Sequence, residues 1–124
     1  MLSQVDVRKA HRQIRIKGSD WGLLGCRADD KSSDVYLNKV GTFGVASAGY
    51  WWSRLAALIV RLVHYRLGAE LAIWLLLYSD DGALFAHGRE FPKKLIMAMF
   101  ILELFGVPMS WRKTRGGVKG DWVG

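Results

Sequence analysis

Tyr78-Ser79-Asp80-Asp81 stands between two apolar runs, Leu71-Ala72-Ile73-Trp74-Leu75-Leu76-Leu77 before it and Gly82-Ala83-Leu84-Phe85-Ala86 after it. Both runs have strand length, and the polar tetrad has the composition of a hairpin turn. The pattern predicts two short buried strands joined at the tetrad. Two adjacent carboxylates at such a tip repel each other and resist desolvation. A divalent cation relieves both penalties, and carboxylates are the usual ligands of Mg²⁺. Asp is also a common turn former, so a solvated turn is the alternative for the tetrad taken alone.

Working outward, Trp51, Leu55, Leu58, Leu62 and Tyr65 recur at helical spacing. They predict a helix from a Ser47 cap to about Tyr65 or Arg66, with that stripe turned to the core and Gly68 as its stop. Beyond the hairpin, Gly88 to Phe105 predicts a second helix, with Leu95, Met99, Leu102 and Phe105 on one face and Gly106 ending it. Near the start, Val5 closes a strand that delivers Asp6. His11 to Ile16 alternates polar and apolar residues as a half-exposed strand would, and Trp21 to Arg27 reads as a strand returning after a turn at Lys17-Gly18-Ser19-Asp20. Asp29 to Asp34 is a polar loop, Val35-Tyr36-Leu37 a third strand, and Gly41-Thr42-Phe43-Gly44 a turn. From Val107 on, short strands are expected around a Gly116-Gly117 turn. Tight turns favour antiparallel pairing, so the expected class is α+β, an antiparallel sheet with helices packed on one face. No linker divides the chain, and one domain over 1–124 is expected.

With 124 residues and 51% apolar content, the chain can bury a core and is not generally disordered. Its 18 basic and 11 acidic residues give a formal charge of +7, which suits a polyanionic partner or an anionic membrane surface. The single cysteine, Cys26, excludes an internal disulfide and any multi-cysteine zinc site, and its apolar neighbours assign it to core filling. The first residues lack the basic and apolar regions of a signal peptide. Arg61 interrupts the run from Leu55 to Val63, and His64, Arg66 and Glu70 precede the next run, so neither reaches the roughly 20 residues of a spanning helix.

Several blocks, in order along nearly the whole chain, resemble the palm region of reverse transcriptases, especially those of retrotransposons. Asp6-Val7-Arg8-Lys9-Ala10-His11 is similar to the family's first catalytic motif. By that resemblance Asp6 binds both catalytic metals and the backbone of Val7, Arg8, Lys9, Ala10 and His11 cradles the incoming triphosphate. His11 stands where the family usually has Tyr or Phe against a ribose 2′-hydroxyl. Phe43-Gly44-Val45-Ala46-Ser47-Ala48-Gly49-Tyr50-Trp51 resembles the loop and helix that back the template base and the nucleotide, with Phe43 and Gly44 at the nucleotide. Thr42 and Gly49 replace prolines common in the family. The tetrad resembles the Tyr-x-Asp-Asp turn, which implies Asp80 as a metal ligand facing Asp6, Asp81 as an auxiliary carboxylate and Tyr78 beside the primer end. Leu104-Phe105-Gly106-Val107 with Lys113-Thr114 resembles the motif whose lysine lies near the triphosphate, which makes Lys113 a candidate proton donor to pyrophosphate. Trp122-Val123-Gly124 resembles the opening of the primer-gripping hairpin, implying primer or template contact for Trp122 and Gly124.

The resemblance implies a right-hand polymerase palm, RNA-directed DNA polymerase activity, Mg²⁺ or alternatively Mn²⁺, a primed RNA or DNA template and deoxynucleoside triphosphates. Primer extension is an in-line displacement in which two ions roughly 4 Å apart stabilise the attacking and leaving oxygens, so it needs carboxylates from neighbouring strands. The family's basic fingers residues precede the first motif and its thumb follows the last. The expectation is therefore a palm with part of the fingers, drawn from a longer polyprotein, intracellular in nucleus or cytoplasm, and inactive in isolation. Two rivals stand beside it. One is a catalytically incompetent transposon remnant acting at most as a basic nucleic-acid-binding domain. The other is a peripheral membrane protein using the Leu55–Tyr65 stripe and its arginines.

Overall fold

A computed structural model of the chain describes residues 1–118. The chain forms two compact units, Met1–Arg8 with Arg54–Gly124 as the first and Lys9–Ser53 as the second. The first unit holds a four-stranded antiparallel sheet. Its strands are β1 (Leu2–Asp6), β4 (Ile73–Tyr78), β5 (Asp81–Ala86) and β6 (Arg115–Gly117), in the order β4-β5-β1-β6. The expected α+β class with an antiparallel sheet is what the structure shows.

Alternation explains how the sheet sits. Ile73 pairs with Ala86, Leu75 with Leu84, and Leu84 with Ser3, and all five are buried on one face. Their neighbours Trp74, Leu76 and Tyr78 point to the other face and remain exposed. The strand before the tetrad is therefore half-buried, not fully buried as its unbroken apolar run implied. The helix α3 (Phe91–Leu104) buries Phe91, Ala98, Met99 and Leu102. A Cβ on Gly116 would meet both Ser3 and the Phe91 ring, so the start of α3 covers the face that carries Ser3. Ser3 is fully enclosed there and donates its hydroxyl to the Arg115 carbonyl at 2.8 Å, which ties β6 to β1. Gly116 and Gly117 lie inside β6 and form no turn. Gly106, with φ +76°, ends α3 as its position implied.

The long helix α1 (Ala46–Val63) starts one residue before Ser47, which falls in its first turn and is not its cap. It continues through a π-helical turn at His64–Gly68 into the short α2 (Ala69–Leu71). Gly68 does not stop it; Ala72 does, in the left-handed region at φ 48°. The Lys94 ammonium donates to the Leu71 carbonyl at 2.7 Å, satisfying one of the acceptors left open at that end. The buried stripe of α1 and its extension is Ala48, Trp52, Ala56, Ile59, Val63 and Leu67. Trp51, Leu55, Leu58 and Tyr65, expected in the core, face solvent, with Tyr65 at 88% exposure. Two stripes of apolar residues run along this helix, and periodicity alone does not say which one is buried.

In the second unit, Lys9 adopts φ 54° and the chain turns into a 3-10 helix at Ala10–Gln13, where a strand was expected. A second 3-10 helix occupies Gly18–Leu24, leaving only the two-residue strand β2 (Gly25–Cys26) to pair with β3 (Tyr36–Leu37). The alternation at His11–Ile16 is too short to enforce a strand once the left-handed Lys9 has broken the extended chain. Cys26 is exposed, not a core filler. Among the described residues no helix is long and apolar enough to cross a membrane.

Candidate active site

The site begins where β1 ends. Asp6 on β1 is in register with Asp81 on β5, and Tyr78 pairs with Asp81 from the other side. The Val7 amide donates to the Asp80 carbonyl at 2.8 Å, so Val7 and Asp80 form a hydrogen-bonded rung. The rung before it, Asp6 opposite Asp81, is then non-hydrogen-bonded, the arrangement in which facing side chains stand closest. The two carboxylates share one face of the sheet with the exposed Tyr78. Asp80 sits in the two-residue turn behind Ser79, whose φ of 55° fits the first central position of a tight hairpin turn.

On the neighbouring rung Gly82 stands opposite Val5 with little room to spare. A Cβ there would stand 2.6 Å from Val5 Cγ2 and 3.2 Å from Leu77 Cδ2, so both side chains would have to shift to admit it. In the sequence Gly82 is the first residue of an apolar run, and nothing in that pattern marks the tight fit.

The other side of Asp6 is held as firmly. The Ser110 amide donates to the Asp6 carbonyl at 2.8 Å, the Arg8 amide to the Pro108 carbonyl at 2.8 Å, and Val7 bridges to Met109. A 3-10 turn at Trp111–Lys113, closed by the Lys113 amide on the Ser110 carbonyl at 2.9 Å, brings Lys113 back over Asp6. Its ammonium donates to Asp6 Oδ2 at 2.8 Å. The Asp6 side chain is 10% exposed and that of Lys113 68%. The hydrogen bond to Asp6 and then the charge of Asp6 raise the Lys113 pKa above its ordinary value. Partial burial opposes the rise, and the charges of Asp80 and Asp81 add to it. One ammonium thus feels all three carboxylates.

Glu103, near the end of α3, was not anticipated. Its Oε1 accepts from the Met109 amide at 3.0 Å and from Trp111 Nε1 at 3.1 Å, pinning the segment that carries Lys113. A glutamate just before a helix-ending glycine is too common to have marked it.

The backbone after Asp6 is less open than a triphosphate cradle requires at its first two residues. The amides of Val7 and Arg8 are engaged with Asp80 and Pro108, and Val7 is buried. Lys9, Ala10, His11, Phe43 and Gly44 belong to the second unit. There, His11 and Phe43 come together from separate blocks, with ring centroids 5.0 Å apart. Gly41 permits the approach, since a Cβ on it would lie 2.5 Å from the His11 carbonyl oxygen and 2.6 Å from Ala48 Cβ. Gly44 takes φ +85°. Trp122 and Gly124 lie outside the described residues.

No protein-family model matches the chain, and no curated protein is similar to it. The donor set must speak for itself. Three carboxylates offer hard oxygen ligands of the kind Mg²⁺ and Mn²⁺ take, and a cationic group already rests on one of them. Among the described residues no three metal-ligating side chains stand together as a preassembled group.

Proposed function

We propose that the first unit is the metal-binding palm of an RNA-directed DNA polymerase, serving nucleotidyl transfer to a primer 3′-hydroxyl on a nucleic-acid template. The observation that carries this reading is the close rung of Asp6 and Asp81, with Asp80 at the adjoining turn and Lys113 over Asp6. Like charges directly opposite on neighbouring strands destabilise a sheet, so a chain that keeps them there has a use for cations. The order of the sequence blocks supplies the choice of polymerase among the chemistries such a site could serve.

In this reading Asp6, Asp80 and Asp81 hold Mg²⁺ or Mn²⁺. When bound, the ions supply charge stabilisation to the attacking and leaving oxygens of the transfer. The remaining work belongs to the chain. The β1–β5 ladder sets the backbones of Asp6 and Asp81 opposite each other, and their side chains, with that of Asp80, would gather around an ion as it binds. Lys113 keeps its proton through neutral pH and is placed to donate it to the leaving pyrophosphate. Tyr78, exposed on the same face as Asp81, is available to the primer end. The net charge of +7 favours a polyphosphate partner without base selection.

The test is incorporation of a labelled deoxynucleotide into a DNA primer on an RNA template, run alongside Mg²⁺-dependent binding of a labelled triphosphate. Both are expected to require Asp6, with triphosphate binding retained even where turnover is weak. Incorporation that survives Asp6→Ala, or triphosphate binding indifferent to Mg²⁺, contradicts the reading.

A further inference from the structure

Asp6 is the most enclosed carboxylate of the site, and the way it is partnered has a consequence for metal entry. A carboxylate left alone in so covered a position, facing another across a strand pair, is costly. Lys113 relieves that cost at 2.8 Å. Departure of the ammonium restores that cost unless another cation takes its place.

The attachment of Lys113 suits such an exchange. Its backbone is anchored independently of its side chain. The Ser110 amide bonds the Asp6 carbonyl, the Lys113 amide bonds the Ser110 carbonyl, and Glu103 holds Met109 and Trp111. None of these contacts involves the ammonium. The side chain itself is a flexible four-carbon stem, largely in solvent along its length. It can swing off Asp6 without any of the backbone anchors breaking. Asp80 and Asp81 keep it in an attractive field when it does so.

We propose that Lys113 is a built-in placeholder cation, whose ammonium holds the Asp6 carboxylate until a divalent ion displaces it, so that metal entry and release of Lys113 are a single exchange. This rests on the reading of Asp6, Asp80 and Asp81 as metal ligands. Two consequences follow from competition for one oxygen. The ion's apparent affinity is lowered by the ammonium it must displace. Lys113 becomes free for a phosphate group only after the metal has arrived, which orders the two events.

The experiment is calorimetric titration of Mg²⁺ and of Mn²⁺ into the full chain and into two variants. Lys113→Met keeps the stem and removes the charge; it is expected to bind metal roughly twofold to fivefold more tightly, the range matched by loss of one competing ion pair. Lys113→Arg keeps a permanent cation and is expected to bind no more tightly than the parent. A second measurement needs no variant. Acetylation of Lys113 by an amine-reactive reagent, read by mass spectrometry against Lys17 and Lys31, is expected to quicken when Mg²⁺ is added. Parent and Lys113→Met binding metal equally, or Lys113 acetylation unchanged by Mg²⁺, overturns the exchange alone. Absence of metal binding in the parent and in Lys113→Met overturns the metal-site reading and the exchange with it.

Discussion

The four-stranded sheet and the stretch from Lys9 to Val45 are ordered by different means. In the sheet, Leu75, Leu84 and Val5 are buried on one face and β1 pairs on both sides with strands distant in sequence, Leu2 with Phe85 and with Gly117. In the other stretch, order comes from short-range turns and two-residue strands, while Leu23 and Phe43 lie open, Leu23 at 84% exposure. The difference teaches where the chain can hold a geometry. Burial of one face and pairing with strands on both sides hold a backbone at a fixed register. Asp6, Asp80 and Asp81 stand on that kind of scaffold.

The comparison breaks most easily at a buried residue. Leu84→Ala should cost about 2–5 kcal/mol in urea unfolding, as truncation of an enclosed leucine does. Leu23→Ala should fall within about 0.5 kcal/mol. Equal losses would mean that the second unit is organised by burial as well. Glycines give the next largest contrast. Gly82→Ala forces a Cβ against Val5 and should cost about 1–3 kcal/mol while also weakening metal binding, since the Asp6–Asp81 rung is the next one along. At Gly22 a Cβ meets nothing within 4 Å, so Gly22→Ala should be close to neutral.

A smaller effect separates charge from packing. Asp6 raises the Lys113 pKa above 10.5, so folding favours the protonated amine. The resulting stability is complete below the unfolded value near 10.5 and is lost as pH rises through the higher folded value. Melting temperatures of the parent and Lys113→Met should therefore converge as the solution becomes strongly alkaline. A gap that stays constant there would assign the loss in the variant to packing instead.

The hairpin was legible because its two runs carry strand length, apolar content and a polar turn at once, and three independent signals agreed on Tyr78–Asp81. The end of α3 was legible for a similar reason, since Gly106 is the left-handed residue its position demanded. The stretch from His11 to Arg27 was not. Six alternating residues carry no cross-strand partner in the sequence, and Lys9 entered the left-handed region without the glycine that usually announces it. The stripe on α1 misled because Trp51, Leu55 and Leu58 are larger and more apolar than Ala48 and Ala56, yet small residues are what lets a helix lie close to its neighbours. For the candidate site, residue type marked Asp80 and Asp81, and the resemblance of the sequence blocks pointed to Asp6 and Lys113. The supports Gly82, Ser110 and Glu103 act through backbone spacing and main-chain bonds, which leave no residue pattern to read.

The central claim is that Asp6, Asp80 and Asp81 form one cation site on this sheet. Paramagnetic broadening by substoichiometric Mn²⁺ in an amide NMR spectrum tests it most directly. The account predicts selective loss of the Asp6, Val7, Asp80, Asp81 and Gly82 signals, reversed by excess Mg²⁺ and abolished in Asp6→Asn with the remaining spectrum unchanged. Broadening spread over the acidic loop at Asp29–Asp34 instead, or unaltered at the sheet in Asp6→Asn, would contradict it.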